Sequence, residues 1–133
     1  MKIAVLTIFG FLWFYKPVEK SKEPEYFLAR ITFYTDCPKW GKKTASTRIA
    51  EEGTSVAAAK TIPFGTQYVI PRLKEWMNTD GNFRVDDRGP WVCQRKASKG
   101  KYPVIDIYVD SHEKVRILGG RSKNIFKVYK KAK

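Results

Sequence analysis

Alternating apolar and polar residues recur in short runs from about residue 26 onward, and this period of two predicts β-strands. The clearest run spans residues 104–109, where Ile105, Ile107 and Val109 fall on one face and Asp106 and Tyr108 on the other. The apolar face of that strand is expected to point into the core. Further strands are predicted at residues 27–35, 67–70, 82–87 and 124–131, and residues 55–59 form another short apolar segment.

The segments between these runs predict loops and one short helix. Residues 39–53 and 72–82 are polar or rich in turn residues, and residues 94–101 form a basic loop. Residues 111–118 are typical of a short helix, because Ser111 is a suitable N-cap and two glycines follow Leu118. Six or so short strands with one helix predict a mainly β fold that closes into a small barrel and so hides its strand edges.

An apolar run at residues 3–15 follows Lys2 and precedes a charged, proline-containing stretch at residues 16–25. One positive charge before about a dozen apolar residues is typical of a secretory signal, and the run is shorter than the roughly 20 residues of a membrane-spanning helix. We expect residues 1–25 to be a signal or signal anchor with a linker, residues 26–133 to be the barrel domain, and membrane contact to be confined to residues 3–15. The alternative is that residues 3–15 form an apolar strand or helix packed on the domain.

The charge of the chain is strongly unbalanced. Among 133 residues, 26 are Lys or Arg and 13 are Asp or Glu, which gives a net charge of +13. This length suits one domain. The excess of cations favours contact with a polyanion, such as nucleic acid, an acidic membrane surface or an anionic cell-wall polymer, although high charge also serves solubility alone. No segment has a dedicated nucleic-acid motif, so we expect no specific nucleic-acid partner.

The counts of histidine and cysteine argue against several classes of active site. His112 is the single histidine, so Ser–His–Asp chemistry and zinc catalysis have little to work with. Cys37 and Cys93 lack metal-type spacing, and we expect neither a metal nor a cofactor. The two cysteines could form one disulfide in an exported protein, whereas in a cytosolic protein both would be buried thiols.

Asp87 is the leading candidate for a catalytic acid from the strand pattern. Strict alternation along residues 82–87 puts Asp87 in phase with Phe83 and Val85, at the end of the strand. A carboxyl at a barrel rim is partly shielded from water; desolvation raises a carboxyl pKa, and a general acid needs a raised pKa near neutral pH. The alternative is a turn aspartate that accepts backbone N–H bonds before the Gly-Pro pair at residues 89–90.

Four stretches, taken in order, resemble known families. They read KTAS at residues 43–46, SVAAAKTIPFGT at residues 55–66, VDDRGP at residues 85–90 and VIDIY at residues 104–108. This order is similar to the double-psi β-barrel of rare lipoprotein A and to the three-aspartate domain of membrane-bound lytic transglycosylase A, with expansins more distant. The resemblance covers residues 32–119, and IDIYVDSHE at residues 105–113 is particularly like the three-aspartate group.

The resemblance implies a six-stranded double-psi β-barrel that acts on peptidoglycan as a lytic transglycosylase. The catalytic acid of those families corresponds to Asp87 and its partner to Asp106, and the third aspartate has its nearest counterpart in Asp110. Asp87 would protonate the glycosidic oxygen, and the same carboxylate would take the proton of the attacking 6-hydroxyl, leaving a 1,6-anhydro sugar. One acid–base residue then suffices, unlike in ordinary glycosidases with two carboxylates.

Other residues near these motifs are candidates for binding the glycan. Tyr34, Trp40 and Trp91 could stack on sugar rings, and Arg88 could contribute electrostatically.

One position departs from the resembling families. Rare lipoprotein A relatives have a histidine where this chain has Ala59, and three-aspartate proteins have an aspartate near Lys60. The absence of that second group supports an alternative function, a non-catalytic glycan-binding or wall-loosening module of the expansin kind. In either case we expect an exported monomer, located in the periplasm, the cell envelope or outside the cell. Its partner would be peptidoglycan glycan strands or another anionic wall polymer.

Overall fold

The computed structural model describes residues 24–36, 41–89, 95, 98–119 and 124–132. Their strands are β1 (Tyr26–Tyr34), β2 (Ser55–Ala57), β3 (Gln67–Val69), β4 (Asn82–Asp87), β5 (Val104–Tyr108) and β6 (Ile125–Lys130), and their helices are α1 (Leu73–Met77) and α2 (His112–Gly119). The predicted signal or anchor segment lies outside the described residues, and so does its linker apart from residues 24 and 25. Four side chains discussed above also lie outside them: Cys37, Trp40, Trp91 and Cys93.

The six strands close into one barrel in the order β1-β5-β2-β4-β3-β6. β1 runs parallel to β5 and β2 runs parallel to β4, while the other four neighbouring pairs are antiparallel. Every one of these strands has a hydrogen-bonded neighbour on both sides, which is how a closed barrel avoids exposed edges. The predicted mainly β barrel of six strands is thereby confirmed.

The barrel interior is filled by the apolar faces of the strands. Ile105, Ile107 and Val109 belong to the main buried cluster, as the alternation in residues 104–109 predicts. They pack with side chains of other strands, namely Ala29, Ile31, Phe33, Val56, Phe83, Val85, Phe126 and Val128. Removing these side chains from water stabilises the fold by about 25 cal/mol per Å² of apolar surface.

Helix α1 occupies a segment that the sequence predicts to be a loop, so that prediction is wrong. Leu73 is buried, Trp76 and Met77 pack against the core, and the helix ends where Asn78 takes a left-handed conformation with φ 52°. A helix of five residues is too short to display a 3.6-residue period. Helix α1 therefore contributes side chains to the core, although its sequence shows no helical periodicity.

Helix α2 matches the helix predicted at residues 111–118 to within one residue at each end. Ser111 caps it as expected, because its Oγ accepts the N–H of Lys114 at 3.2 Å. In the described part of the chain, no helix combines the length and apolar character needed to cross a membrane.

A pair of isoleucines tests the assignment of the core. Ile107 is fully buried in the barrel, whereas Ile117 on α2 is 50% exposed. We expect Ile107→Ala to lower the free energy of unfolding by about 3 kcal/mol, because it removes buried methylene groups and leaves a cavity. The matched change Ile117→Ala should cost under about 1 kcal/mol. Urea denaturation followed by circular dichroism measures both, and equal losses would contradict the described core.

Candidate functional site

An open groove of about 910 Å³ lies where four neighbouring strands end. Tyr34, Ala57, Asp87 and Tyr108 are the last residues of β1, β2, β4 and β5, and all four line it. The segment at residues 41–50 forms much of the opposite wall. Of the groove's remaining lining, the polar side chains are Thr35, Asp36, Lys42, Lys43, Thr44, Thr47, Arg88 and Asp106.

A β-bulge brings two of the predicted aspartates to the same side of the barrel. Ala57 on the central strand pairs with Asp106 on one side and with Asp87 on the other. The Cα atoms of the two aspartates are therefore about 10 Å apart, which is two strand spacings. The register between β2 and β4 shifts between Val56 and Ala57, so that Asp86 is the extra residue in β4.

The bulge corrects the face predicted for Asp87. Unbroken alternation would put this side chain inside the barrel with Phe83 and Val85. The extra residue instead aligns Asp87 with Ala57, on the side of the ladder that carries Tyr34 and the groove. The prediction of its face is wrong because a bulge reverses the parity of every residue after it.

Asp86, the extra residue, is held by two neighbours and is 1% exposed. Arg84 donates two hydrogen bonds to its carboxylate, from Nε to Oδ1 at 2.7 Å and from Nη2 to Oδ2 at 2.8 Å. Ser55 Oγ donates a third, to Oδ2 at 2.8 Å. A buried carboxylate needs such partners, because removing a lone charge from water is costly. Asp86 thus fixes the bulge, and its carboxylate does not face the groove.

Three donors hold the carboxylate of Asp87. The Tyr34 hydroxyl donates to Oδ2 at 3.0 Å, and Oδ1 accepts the N–H of Ala45 and the N–H of Arg88, each at 2.9 Å. The two backbone bonds are those of a turn aspartate, the alternative considered from the sequence. They also fix the Asp87 side chain in the groove. The same bonds are therefore compatible both with a turn aspartate and with a candidate catalytic acid.

Tyr34 retains its proton and acts as a donor. Burial raises the pKa of its phenol well above the ordinary value, and the nearby charge of Asp87 raises it further. The ring packs edge-on against Tyr108, with centroids 5.6 Å apart and an angle of 71°. Because Tyr34 and Tyr108 are register partners on β1 and β5, the strand ladder fixes both rings.

Asp106 differs from Asp87 in its surroundings. Burial raises its pKa to about 6; a hydrogen bond from the Thr32 hydroxyl, at 2.9 Å, opposes this shift, and the charge of Asp87 adds to it. The groove therefore holds one carboxyl group that gains a proton in weakly acidic solution, beside another that is bonded to three donors. Two carboxyl groups whose surroundings differ in this way can take the separate roles of acid and base.

Asp36 and Tyr108 also belong to the groove, and the sequence analysis did not select them as site residues. The buried Tyr108 hydroxyl donates to Asp36 Oδ1. A usable signal was present, because Tyr34 and Asp36 are two residues apart, as are Asp106 and Tyr108, and residues at that spacing share a face. The same alternation continues past the end of β1, from Tyr34 to Asp36.

Arg88 lines the groove but directs its guanidinium to the protein. Nη1 contacts the carbonyl oxygens of Asp87 and Ala58 at 3.1 and 3.5 Å, and Nη2 donates to the carbonyl of Ile62. The guanidinium also lies over the ring of Phe64, 4.0 Å from its centroid. Arg88 therefore ties residues 58–64 to the end of β4, and this is its visible contribution to the site.

Asp110, the third predicted aspartate, is not among the groove-lining residues. It is exposed, ion-pairs with Lys114 at 3.0 Å, and accepts no bond from the other predicted site residues. Its backbone N–H donates to the carboxylate of Glu52. Trp91, the remaining predicted contact, lies outside the described residues.

Neither a metal site nor a family assignment is found for the chain. Within the described ranges, no group of three or more His, Cys, Asp or Glu side chains could hold a metal ion. No protein-family model matches the chain, and no characterised protein matches it in sequence.

Removing the buried charge of Asp86 from the bulge is expected to lower the stability of the fold strongly. We expect Asp86→Ala to lower the free energy of unfolding by about 3 kcal/mol, because Arg84 and Ser55 lose their shared acceptor. Asp110→Ala, which removes an exposed partner of Lys114, should have a much smaller effect. Chemical denaturation at neutral pH measures both changes, and similar values for the two variants would show that the bulge is not stabilised by this contact.

The raised pKa of Asp106 predicts a pH-dependent stability difference. Because the folded pKa of about 6 exceeds the ordinary value of 3.8, deprotonation opposes folding. The penalty is absent below the unfolded pKa, grows as the pH rises, and is complete above the folded pKa. Asp106→Asn should therefore gain stability relative to the wild type, by on the order of 1–2 kcal/mol between about pH 5 and about pH 7.5.

Paired urea titrations across that pH range measure the difference. Thr32 can still donate to the amide oxygen of the asparagine introduced by Asp106→Asn, so the comparison isolates the titrating proton. A stability difference that is constant with pH would contradict the raised pKa.

Proposed function

We propose that this chain is a peptidoglycan-active, lytic transglycosylase-like protein that cleaves glycan strands with Asp87 as general acid and base. The observation that carries the proposal is the meeting of Asp87 and Asp106, from two separate strands, in one open groove with Tyr34. The order of four sequence motifs similar to rare lipoprotein A and three-aspartate domains supports the substrate class.

The groove has the size and chemistry that a glycan segment needs. Its volume of about 910 Å³ is at the upper end of the roughly 300–1,000 Å³ typical of ligand sites. Hydroxyls and carboxylates line it, and these groups accept hydrogen bonds from the hydroxyls of sugars. An open groove also admits a long strand, which an enclosed pocket would not.

In the proposed reaction Asp87 first donates one proton and later accepts one. Asp87 gives a proton to the glycosidic oxygen as the bond to the anomeric carbon breaks, and the resulting Asp87 carboxylate stabilises the positive charge that develops on the sugar. The 6-hydroxyl of the same sugar then attacks the anomeric carbon and returns its proton to Asp87. The products are a free hydroxyl end and a 1,6-anhydro sugar, so no water is consumed.

The carboxyl pair explains how a proton is kept available. Repulsion between Asp87 and Asp106 contributes to the raised pKa of Asp106, so the pair retains a proton into the weakly acidic range. Tyr34 stays protonated beside them and orients the Asp87 carboxyl. These groups lie on the barrel ladder, which holds their geometry fixed.

A non-catalytic wall-binding module is the second candidate function. Two observations favour it: the Asp87 carboxylate already accepts three hydrogen bonds, and Ala59 stands where the rare lipoprotein A group that the chain resembles has a histidine. Ala59 and Lys60 are not among the described residues that line the groove. In such a module the same groove would grip glycan strands without cutting them.

The same proposal includes export to the cell envelope, supported by the sequence of residues 1–15. The net charge of +13 would attract the chain to an anionic wall.

Product analysis separates the two functions. We expect the wild type to release anhydro-muropeptides from purified peptidoglycan, detected by mass spectrometry. Asp87→Asn should reduce their rate of formation by at least about 100-fold, because it removes the transferable proton. The matched change Asp80→Asn, in an exposed turn outside the groove, should leave the rate unchanged. Binding without products from the wild type would favour the module, and full activity of Asp87→Asn would exclude the proposed role of Asp87.

A further inference from the structure

Asp36 gives the groove a second polar centre, away from the Asp87–Asp106 pair. It lies two residues beyond the end of β1 and lines the groove. Tyr108, which is 2% exposed, donates its hydroxyl to Asp36 Oδ1. Burial raises the pKa of Tyr108, and the charge and hydrogen bond of Asp36 add to this shift, so the phenol keeps the proton that it donates.

The two tyrosines separate two anchored carboxylates. Tyr34 donates to Asp87 and Tyr108 donates to Asp36, while their rings touch at a centroid distance of 5.6 Å. Asp36 is therefore anchored by a tyrosine hydroxyl in the same way as Asp87.

The described residues leave acceptor positions on the carboxylate of Asp36 unfilled. An ionised carboxylate offers about four acceptor positions, and within the described residues Tyr108 fills one of them. Among the described residues, the groove lining has three aspartates and three basic residues, Lys42, Lys43 and Arg88, and the Arg88 guanidinium is bonded to the protein. A ligand rich in hydroxyl and amide donors matches this balance better than a highly charged one.

We propose that Asp36 is a substrate-positioning residue, whose carboxylate, held by Tyr108, accepts hydrogen bonds from the hydroxyl or acetamido N–H groups of a sugar unit next to the one that reacts at Asp87. The identity of the ligand rests on the proposed function, and the position of the contact rests on the groove. A bond to a charged acceptor is stronger than one between neutral groups, so a single such contact can fix the strand along the groove. Asp36 thus takes the third carboxylate position that the sequence assigned to Asp110.

Binding measurements test the contact without turnover. In the Asp87→Asn protein, a tetrasaccharide of alternating GlcNAc and MurNAc, titrated by calorimetry, should bind at least about tenfold more weakly after the further change Asp36→Asn. Tyr108→Phe should weaken binding by a smaller factor, because the carboxylate remains but loses its orienting donor. Asp80→Asn is the matched control and should leave the affinity unchanged.

Kinetics on the otherwise wild-type chain distinguish positioning from folding. Asp36→Asn should raise KM by about tenfold and leave kcat within about threefold, with an unchanged melting temperature. Loss of kcat at constant KM would overturn the proposed role. If Asp36→Asn unfolds, the Tyr108→Phe variant carries the same comparison.

The outcomes for Asp36 and for the proposed activity are separable. Asp36-dependent binding by a wild type that releases no anhydro products would end the enzymatic proposal and keep the positioning role. Cleavage by the wild type with equal affinity and KM in Asp36→Asn would keep the enzyme and overturn the positioning role. Absence of any tetrasaccharide binding by the Asp87→Asn protein would also overturn it.

Discussion

The buried contact among Asp86, Arg84 and Ser55 is the constraint from which the geometry of the groove follows. The β4 strand contains one residue more than its partner β2 can match, and Asp86 is that residue. A carboxylate that is 1% exposed is tolerated only where it is paired and hydrogen-bonded, and Arg84 and Ser55 supply three bonds. Once Asp86 is held in this way, the next residue must turn toward Ala57. The ion pair between Asp86 and Arg84 thus fixes the bulge, and the bulge determines where Asp87 lies.

The small side chain of Ala57 makes that placement useful. It separates Asp87 from Asp106 across neighbouring strands and rises only one carbon above the ladder. A larger side chain there would occupy the space between the two carboxyls, which the groove now leaves open. The two acids can therefore influence each other electrostatically while a ligand still reaches both. Their unequal surroundings follow, because Asp87 meets three donors and Asp106 meets one.

The sequence predicts the barrel well and its irregular points poorly, for a physical reason. Alternation correctly placed Ile105 and Ile107 in the core, since a regular strand repeats every two residues. The same rule misplaced Asp87, because a bulge leaves no mark in the apolar pattern of residues 82–87. The contact between Asp36 and Tyr108 joins strand ends 72 positions apart, and only the parallel pairing of β1 with β5 brings them together.

The charge of the groove and the net charge of the whole chain differ, and they would act at different distances from a ligand. The chain carries +13, yet the described lining of the groove contains equal numbers of acidic and basic residues. Under the proposed function, long-range attraction to an anionic polymer would draw on cations other than those of the described groove lining, and it would act over about a Debye length, roughly 8–10 Å at physiological salt. Within the groove, the proposed ligand would instead be selected by hydrogen bonds that the fixed carboxylates accept. Salt should then weaken the encounter with a wall polymer far more than it weakens the contacts of a short sugar, because screening acts on the net charge and leaves buried hydrogen bonds intact.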